Sequence, residues 1–261
     1  MNIGLAGWSL VRRFRAKELV LLDYPATTVE EFGLSVIELN APFFASTDAD
    51  YLAELRSRID AAGARVANIA VDGQGDLSAA DETERKQAVA NHARWFDVAR
   101  AGGSPNIRAF TGGPHEGELT DAVMQACIRS FGELAALGRE KHVRIVVENH
   151  GGVVARDPDN LVRLMQSDDT GYLGMCPDFG NFPAEVRYEG LEKTASWARV
   201  VHAKFHEFDD AGEDTRLDAK RCLDIVRAAG FDGDALIEFE GRTLDDHTGV
   251  MKSIALLRKY L

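Results

Sequence analysis

Four apolar segments set the architecture of this chain, and they read RIVVENH (residues 144–150), LGMCPD (173–178), VVHAK (200–204) and ALIEFE (235–240). Each apolar run is short, which indicates a strand buried in a parallel sheet. Each run then ends in an acidic or imidazole side chain. Because charged residues are rarely buried unless they are paired or bind a metal, this pattern predicts convergence on one cation. The candidate ligands are Glu148, Asp178, His202 and Glu238.

The pattern of an apolar strand followed by a helix recurs eight times along the chain. The apolar runs begin near Ile3, Val36, Val66, Ile107, Ile145, Leu173, Val200 and Leu236. Helical patterns lie between them, and several carry end signals, such as Gly102-Gly103 after the pattern over residues 81–101. Alternating units of this kind predict a parallel sheet with right-handed crossovers, and eight of them match a closed (β/α)8 barrel.

The chain is expected to form one domain over residues 1–261, because no Pro-rich or low-complexity linker divides it. An open doubly wound sheet is the alternative, but the first turn, after residues 3–7, lacks a G-x-G-x-x-G motif. In a barrel, the four candidate ligands fall at the C-terminal ends of strands, where active sites of such barrels lie. The sequence therefore predicts an α/β fold, a single (β/α)8 TIM barrel, with a site at that mouth.

Composition limits the classes of partner. The 261 residues include 30 Lys and Arg against 42 Asp and Glu, a net charge of −12. Binding to a nucleic-acid backbone usually needs a basic surface, so no nucleic-acid partner is expected. No apolar run reaches the length of a membrane span, and no secretory signal opens the chain. The three cysteines are few and lack metal-motif spacing, which favours a cytoplasmic protein. A homo-oligomer is left open.

Three carboxylates and one imidazole would make an oxygen-rich site for one divalent cation. Such a site favours Mn²⁺ or Mg²⁺, with Co²⁺ or Zn²⁺ as alternatives. The ion would polarise a carbonyl and its neighbouring hydroxyl in a small polyol or sugar, and so stabilise an enediolate. Glu148 and Glu238 are the expected proton-transfer groups, and Lys204 would neutralise the developing oxyanion. Glu240 is an alternative ligand to Glu238. The alternative role for Lys204 is that of a simple ion-pair partner of Glu240.

Further polar and aromatic residues near strand ends are candidate contacts for the substrate. Side chains alternate between the faces of a strand, so His150 shares a face with Glu148, and Lys204 shares one with His202. For Trp8, a purely structural role, in which the ring fills the end of the barrel core, is an equal alternative. The candidate substrate contacts are Trp8, Glu38, Asn40, His150, Asn181, His206 and Glu240.

Five motifs resemble the xylose-isomerase-like barrel superfamily, in its sugar phosphate isomerase/epimerase branch: VIELN (36–40), VVENHGG (146–152), CPDFGN (176–181), VHAK (201–204) and IEFEG (237–241). The resemblance covers essentially the whole chain. It implies that Glu148, Asp178, His202 and Glu238 bind one divalent ion. It also implies that the two glutamates act as acid and base on opposite faces of a substrate, as in the family's epimerases.

The chain departs from the ketose epimerases of this superfamily in two ways. Asn181 stands where they usually have a histidine, and His206 and Phe208 lie where they carry an arginine. The resemblance implies a metal-dependent isomerase or epimerase of a sugar, keto-sugar or inositol-type ketone, without defining the substrate.

A lyase, a binding protein and a nuclease are the alternatives to this function. A lyase or dehydratase acting on a keto-sugar or sugar conjugate begins with the same proton removal, so the sequence does not separate it from an epimerase. A non-catalytic sugar-binding relative is a further alternative. The complete set of four ligands argues against it, but Asn181, in place of the usual histidine, leaves it open. The abasic-site endonucleases of the superfamily are excluded, because they need a histidine-rich zinc cluster and a basic face. Of the seven histidines in this chain, only His150, His202 and His206 lie at strand ends, and the net charge is −12.

Overall fold

The computed structural model describes residues 1–261 and contains one sheet of eight parallel strands. The strands are β1 (Asn2–Ala6), β2 (Val36–Asn40), β3 (Arg65–Ala70), β4 (Asn106–Ala109), β5 (Arg144–Glu148), β6 (Leu173–Cys176), β7 (Val201–Phe205) and β8 (Asp234–Phe239). Each strand lies at one of the eight apolar runs of the sequence. The order across the sheet is β6-β5-β4-β3-β2-β1-β8-β7. The predicted fold class, a single α/β barrel of the TIM type, is confirmed.

The seam between β6 and β7 is joined by isolated contacts rather than by a continuous ladder. Asp178 forms a parallel bridge with His202. The main-chain N–H of His202 donates to the carbonyl of Pro177 at 3.0 Å, and the N–H of Phe179 donates to the carbonyl of His202 at 3.1 Å. Pro177 has no N–H of its own to contribute to a ladder. The seam therefore places Asp178 directly beside His202.

Nine helices alternate with the strands: α1 (Val11–Ala16), α2 (Tyr24–Phe32), α3 (Ala49–Ala61), α4 (Glu82–Gly102), α5 (Asp121–Lys141), α6 (Pro158–Gln166), α7 (Arg187–Thr194), α8 (Ala219–Ala228) and α9 (Asp246–Tyr260). The side chain of Asp81 caps α4 by accepting from two main-chain N–H groups, and Gly103 ends it with a φ of 76°. The sequence did not predict α1, which has only six residues, none of them fully buried. None of the helices has both the length and the apolar character needed to cross a membrane.

Two sets of buried apolar side chains make up the core. The larger contains 60 residues, and the smaller contains Val36, Ala67, Val146, Cys176, Val200 and Leu236. Most members of the smaller set stand two residues before an acidic residue or a histidine. Val146 precedes Glu148 in this way, and Leu236 precedes Glu238. Because side chains alternate along a strand, this apolar layer lies directly beneath a layer of buried polar groups.

Candidate metal centre

The four candidate ligands meet at the C-terminal mouth of the barrel. One ligand atom from each of Glu148, Asp178, His202 and Glu238 lies within 4.8 Å of the other three. All four side chains are buried. Three of these residues belong to strands, and Asp178 comes two residues after β6. Chain segments that are far apart in sequence therefore bring three carboxylates and one imidazole to a single point.

Each of these residues has a buried polar atom that lacks a hydrogen-bond partner. The atoms are Oε2 of Glu148, Oδ2 of Asp178, Nδ1 of His202 and Oε2 of Glu238. Oε2 of Glu148 and Oε2 of Glu238 each lie 2.9 Å from a cationic side chain. Oδ2 of Asp178 and Nδ1 of His202 have no partner this close, and buried polar atoms are nearly always hydrogen-bonded, so these two need an explanation. A single divalent cation would satisfy all four atoms, and three oxygens with one nitrogen suit such an ion. The donor set thus fits the cation that the sequence predicts.

A fourth carboxylate, that of Glu38, fixes the orientation of the His202 ring. Nε2 of His202 lies 2.8 Å from Oε2 of Glu38, so this nitrogen carries the hydrogen and donates it. Asn68 donates to the same oxygen of Glu38 at 2.7 Å. Nδ1 of His202 is left to face the other three candidate ligands, whose nearest oxygens lie 3.6–3.9 Å away. Contacts of this kind set the tautomer and direction of metal-binding histidines.

Asn149 holds Asp178 in place, although the sequence did not indicate this role. The main-chain N–H of Asp178 donates to Oδ1 of Asn149 at 2.6 Å, and Nδ2 of Asn149 donates to the carbonyl of Asp178 at 3.0 Å. Oδ1 of Asp178 accepts from the N–H groups of Gly180 and Asn181 at 2.7 and 2.9 Å. Oδ1 of Asp178 is therefore hydrogen-bonded to the loop, and Oδ2 is left to face the other candidate ligands.

Lys204 and Asn181 link the two glutamates. Nζ of Lys204 lies 2.9 Å from Oε2 of Glu238 and 3.3 Å from Oε1 of Glu240. The same Nζ donates to Oδ1 of Asn181 at 3.0 Å, and Nδ2 of Asn181 donates to Oε1 of Glu148 at 2.7 Å. Glu238 belongs to the four-residue cluster, whereas Glu240 lies outside it and is 35% exposed. A positive charge is thus held between the carboxylates at the mouth.

Arg108 of β4 is a buried cation that the sequence analysis missed. Its Nε lies 2.9 Å from Oε2 of Glu148, and its Nη1 pairs with Asp72. The guanidinium carbon lies 4.2 Å from the centroid of the Phe110 ring, and Arg108 is only 2% exposed. The one available signal was a charged residue inside the short strand Asn106–Ala109. Arg108 is therefore a fixed counter-charge for one candidate ligand.

The surrounding charges give the carboxyl groups unequal pKa values in the absence of a cation. Burial would raise the pKa of Glu148, but the Arg108 guanidinium holds it well below its usual range. Burial raises the pKa of Asp178 to about 7, opposed by Lys204 and reinforced by the neighbouring glutamates. Like charges at such distances cannot all ionise together. A cation bound here would take the place of the proton on Asp178.

A cavity of about 390 Å³ opens onto this cluster, a size that suits a small ligand. Its walls are formed by Trp8, Asp72, Arg108, Phe110, Glu148, His150, Lys204, Glu238 and Glu240. Three predicted substrate contacts, Trp8, His150 and Glu240, are among them. Both glutamates with a proposed proton-transfer role also line the cavity. A molecule in this space would therefore touch the candidate acid and base groups directly.

The other predicted substrate contacts do not line this cavity: Glu38, Asn40, Asn181 and His206. Glu38 and Asn40 are fully buried on β2. His206 follows β7, and its main-chain N–H donates to Oδ2 of Asp214 at 2.7 Å. Glu38 contacts His202 and Asn181 contacts Glu148. A contact with substrate stays a prediction for all four residues.

The fold is that of a known family. A family model described as a Xylose isomerase-like TIM barrel matches residues 26–260. The chain therefore belongs to this family, and the resemblance noted in the sequence is confirmed.

One curated relative and two solved structures illustrate the similarity. Inosose dehydratase of Clostridium perfringens is 27% identical over 135 residues, which cover 49% of this chain and 45% of that protein. The match thus spans less than half of the relative's length. A structure of the IolI protein with a zinc atom has a TM-score of 0.80 at 13% identity, covering 100% of this chain and 99% of that chain. D-psicose 3-epimerase of Clostridium cellulolyticum H10, solved with D-tagatose, has a TM-score of 0.78 at 12% identity, with the same coverage. At these identities the two structures support the fold alone.

Proposed function

We propose that the chain is a divalent-metal-dependent isomerase or epimerase of a sugar, keto-sugar or inositol-type ketone. The observation that carries this proposal is the set of four buried ligand atoms that lie within 4.8 Å of one another, beside a cavity lined by the two glutamates Glu148 and Glu238. Membership of the xylose isomerase-like family supports it, as does the similarity to proteins named for sugars and inosose.

Glu148, Asp178, His202 and Glu238 would hold the cation. Bound there, the ion would supply Lewis-acid polarisation of the carbonyl and neighbouring hydroxyl oxygens of the substrate. The oxygen-rich donor set favours Mn²⁺ or Mg²⁺, with Co²⁺ or Zn²⁺ as alternatives. The zinc atom in the IolI structure belongs to that protein and leaves the choice of ion here open.

The two glutamates would move protons at the carbon next to the carbonyl. Arg108 keeps the pKa of Glu148 low, so Glu148 is present in the ionised form that a base needs to accept a proton from that carbon. Glu238 would return a proton from the other face, which gives an epimer, whereas return at the neighbouring carbon gives an isomer. Lys204, 2.9 Å from Glu238, would stabilise the negative charge that develops on the substrate oxygens.

The match to an inosose dehydratase favours a second candidate function. A dehydratase would begin with the same proton removal and would then expel a hydroxyl group from the next carbon. Glu240 and His150, which line the cavity, could protonate that leaving group. The reaction product, rather than the site, separates the two functions.

Proton exchange in D₂O tests the proposal. Keto-sugars and inositol ketones would be incubated with the Mn²⁺-loaded protein and followed by NMR. We expect deuterium to enter next to the carbonyl, and this exchange to disappear in Asp178→Ala. An epimer or isomer would identify the first function, and loss of water would identify the second. Sugar binding without exchange of any substrate would contradict both and leave a non-catalytic binding role.

The proposal includes a cytoplasmic location and a small-molecule sugar or polyol as the partner. Cys127, Cys176 and Cys222 are free and buried, which suits a reduced compartment. Burial raises the pKa of the Cys176 thiol to about 12, so this group stays protonated beside the metal centre. A nucleophilic role for Cys176 is therefore not part of the mechanism.

A further inference from the structure

A second cavity, of about 460 Å³, adjoins the one at the metal centre. The two cavities share Phe110 and His150 in their walls. The second cavity is formed by the loops that follow β3, β4 and β5, together with His92 of α4. None of the four candidate ligands lines it, and neither glutamate of the proposed isomerase or epimerase reaction does, so that reaction leaves this space without a role.

Cross-links between the loops hold this cavity open. Oδ1 of Asp76, in the loop after β3, accepts from the N–H of Gly113, in the loop after β4, at 2.8 Å. The N–H of Val153, after β5, donates to the carbonyl of Pro114 at 2.9 Å. Gly152 has a φ of 63°, and a Cβ there would clash with a main-chain carbonyl of the loop after β4. The three loops therefore form a fixed wall, as expected of a preformed ligand pocket.

One buried side chain offers an unused hydrogen-bond acceptor to this cavity. His92 is 3% exposed, and its Nδ1 lies 2.8 Å from the carbonyl of Ala88. A carbonyl only accepts, so Nδ1 carries the hydrogen and Nε2 keeps its lone pair. Burial lowers the pKa of His92, which keeps the ring neutral. His92 lines the cavity and Nε2 has no partner within the protein, so this nitrogen is free to accept from a ligand hydroxyl.

The character of the walls limits the chemistry of the ligand. No lysine or arginine lines this cavity, so a phosphate or carboxylate would have no permanent counter-charge. Only two of its twelve lining residues are hydrophobic, which disfavours an apolar ligand. The ring of His150 stacks on Phe110, with 4.2 Å between their centroids, and forms a flat partition between the two cavities. A neutral, hydroxylated ring satisfies all of these features.

We propose that the second cavity is a subsite for a second sugar ring or polyol joined to the reacting unit, so that the preferred substrate is a keto-glycoside rather than a free monosaccharide. This inference rests on the proposed function, because the reacting ketone is placed in the first cavity. The hydroxyl groups of the second ring would reach Nε2 of His92, and its flat face would lie near His150.

Isothermal titration of the Mn²⁺-loaded full chain tests this subsite. The probes are D-fructose and three disaccharides that contain it in different linkages: turanose, lactulose and isomaltulose. We expect at least one disaccharide to bind tenfold or more tightly than fructose. His115 is exposed and lines the second cavity. His115→Trp should therefore fill the space and lower the affinity for that disaccharide to the affinity for fructose. Glu116→Trp, on the same loop but lining neither cavity, is the matched control and should leave the preference unchanged.

His92→Phe provides a second variant, with a thermal midpoint to show that it folds. It should lower the affinity for the disaccharide about fivefold, the effect of one lost hydrogen bond, and leave the affinity for fructose unchanged. The subsite is overturned if fructose binds as tightly as every disaccharide, or if His115→Trp weakens both kinds of sugar equally. Exchange in D₂O, measured on the same samples, separates the two proposals. A preference for disaccharides without exchange contradicts only the reaction, and exchange without a preference contradicts only the subsite.

Discussion

Oε2 of Glu38, on β2, lies 2.8 Å from Nε2 of His202, on β7, and neither side chain is exposed. The two strands are not neighbours in the sheet, so this contact crosses the interior of the barrel. It determines that Nδ1 is the imidazole nitrogen that faces the three carboxylates of the cluster. A buried negative charge behind a histidine also makes the other nitrogen a stronger donor of its lone pair to a metal.

Replacing Glu38 with glutamine should weaken cation binding even though Glu38 is not itself a candidate ligand. The variant keeps an oxygen for Nε2 of His202 but loses the charge, and we expect Mn²⁺ affinity to fall about 10–100-fold. Competition with a fluorescent chelator measures this change. The surface variant Glu54→Gln is the control and should bind Mn²⁺ like the wild type. An equal dissociation constant for Glu38→Gln would show that the contact does not tune the site.

Arg108→Met should destabilise the protein strongly. The change leaves the carboxylate of Glu148 buried without its counter-charge, and removing one partner of a buried ion pair costs about 3–5 kcal/mol. Urea unfolding in the presence of a chelator measures the free energy of unfolding. Arg58→Met removes an exposed i,i+4 ion pair with Glu54 and should cost less than about 1 kcal/mol. Similar losses for the two variants would mean that Arg108 is not the counter-charge of Glu148.

The pKa of Asp178 predicts how stability depends on pH without a cation. Its value of about 7 in the folded chain lies above the usual 3.8, so the folded state binds the proton more tightly. This contribution to stability is present at low pH and is lost as pH rises through about 7. Asp178→Asn has no such proton to lose. In chelator, its stability relative to the wild type should therefore increase from pH 5 to pH 8, as measured by thermal unfolding. A difference that stays constant over this range would contradict the assignment.

The two glutamates should both be needed for turnover. Glu148→Gln and Glu238→Gln each keep an oxygen near the cation while removing a base, so we expect kcat to fall about 10²–10⁴-fold. Steady-state rates on a substrate that the wild type converts, together with the metal content of each variant, test this. We expect the two variants to differ in deuterium exchange, because each would block a different half of the proton transfer. Near-normal turnover in both would rule out the two-carboxylate mechanism.

Much of the architecture follows from local patterns in the sequence. A buried strand of a parallel sheet is a short apolar run, and a polar residue at its end is costly to bury unless it has a partner. Because side chains alternate, Glu148 points the same way as Val146, and Glu238 the same way as Leu236. The direction of these side chains into the barrel could therefore be predicted before any coordinates were known.

Contacts across the barrel could not be predicted in this way. Arg108 reaches Glu148 from the neighbouring strand, and Glu38 reaches His202 across the interior. Such pairs depend on strand register and on the depth of each side chain, neither of which is visible in the pattern of one strand. The role of Asn149 was hidden for another reason, because it bonds to main-chain groups of Asp178 rather than to a recognisable side chain. The helix α1 was missed because its six residues are too few to show a helical period.

The most direct test of the metal centre is the Mn²⁺ content of the purified chain after loading and removal of free ion, measured by elemental analysis. We predict one ion per wild-type chain and almost none in Asp178→Ala, whose circular dichroism should remain that of the folded barrel. The exposed variant Asp210→Ala is the control and should keep its ion. No bound ion in the wild type, or the same content in wild type and Asp178→Ala, would contradict the assignment of these four residues as metal ligands.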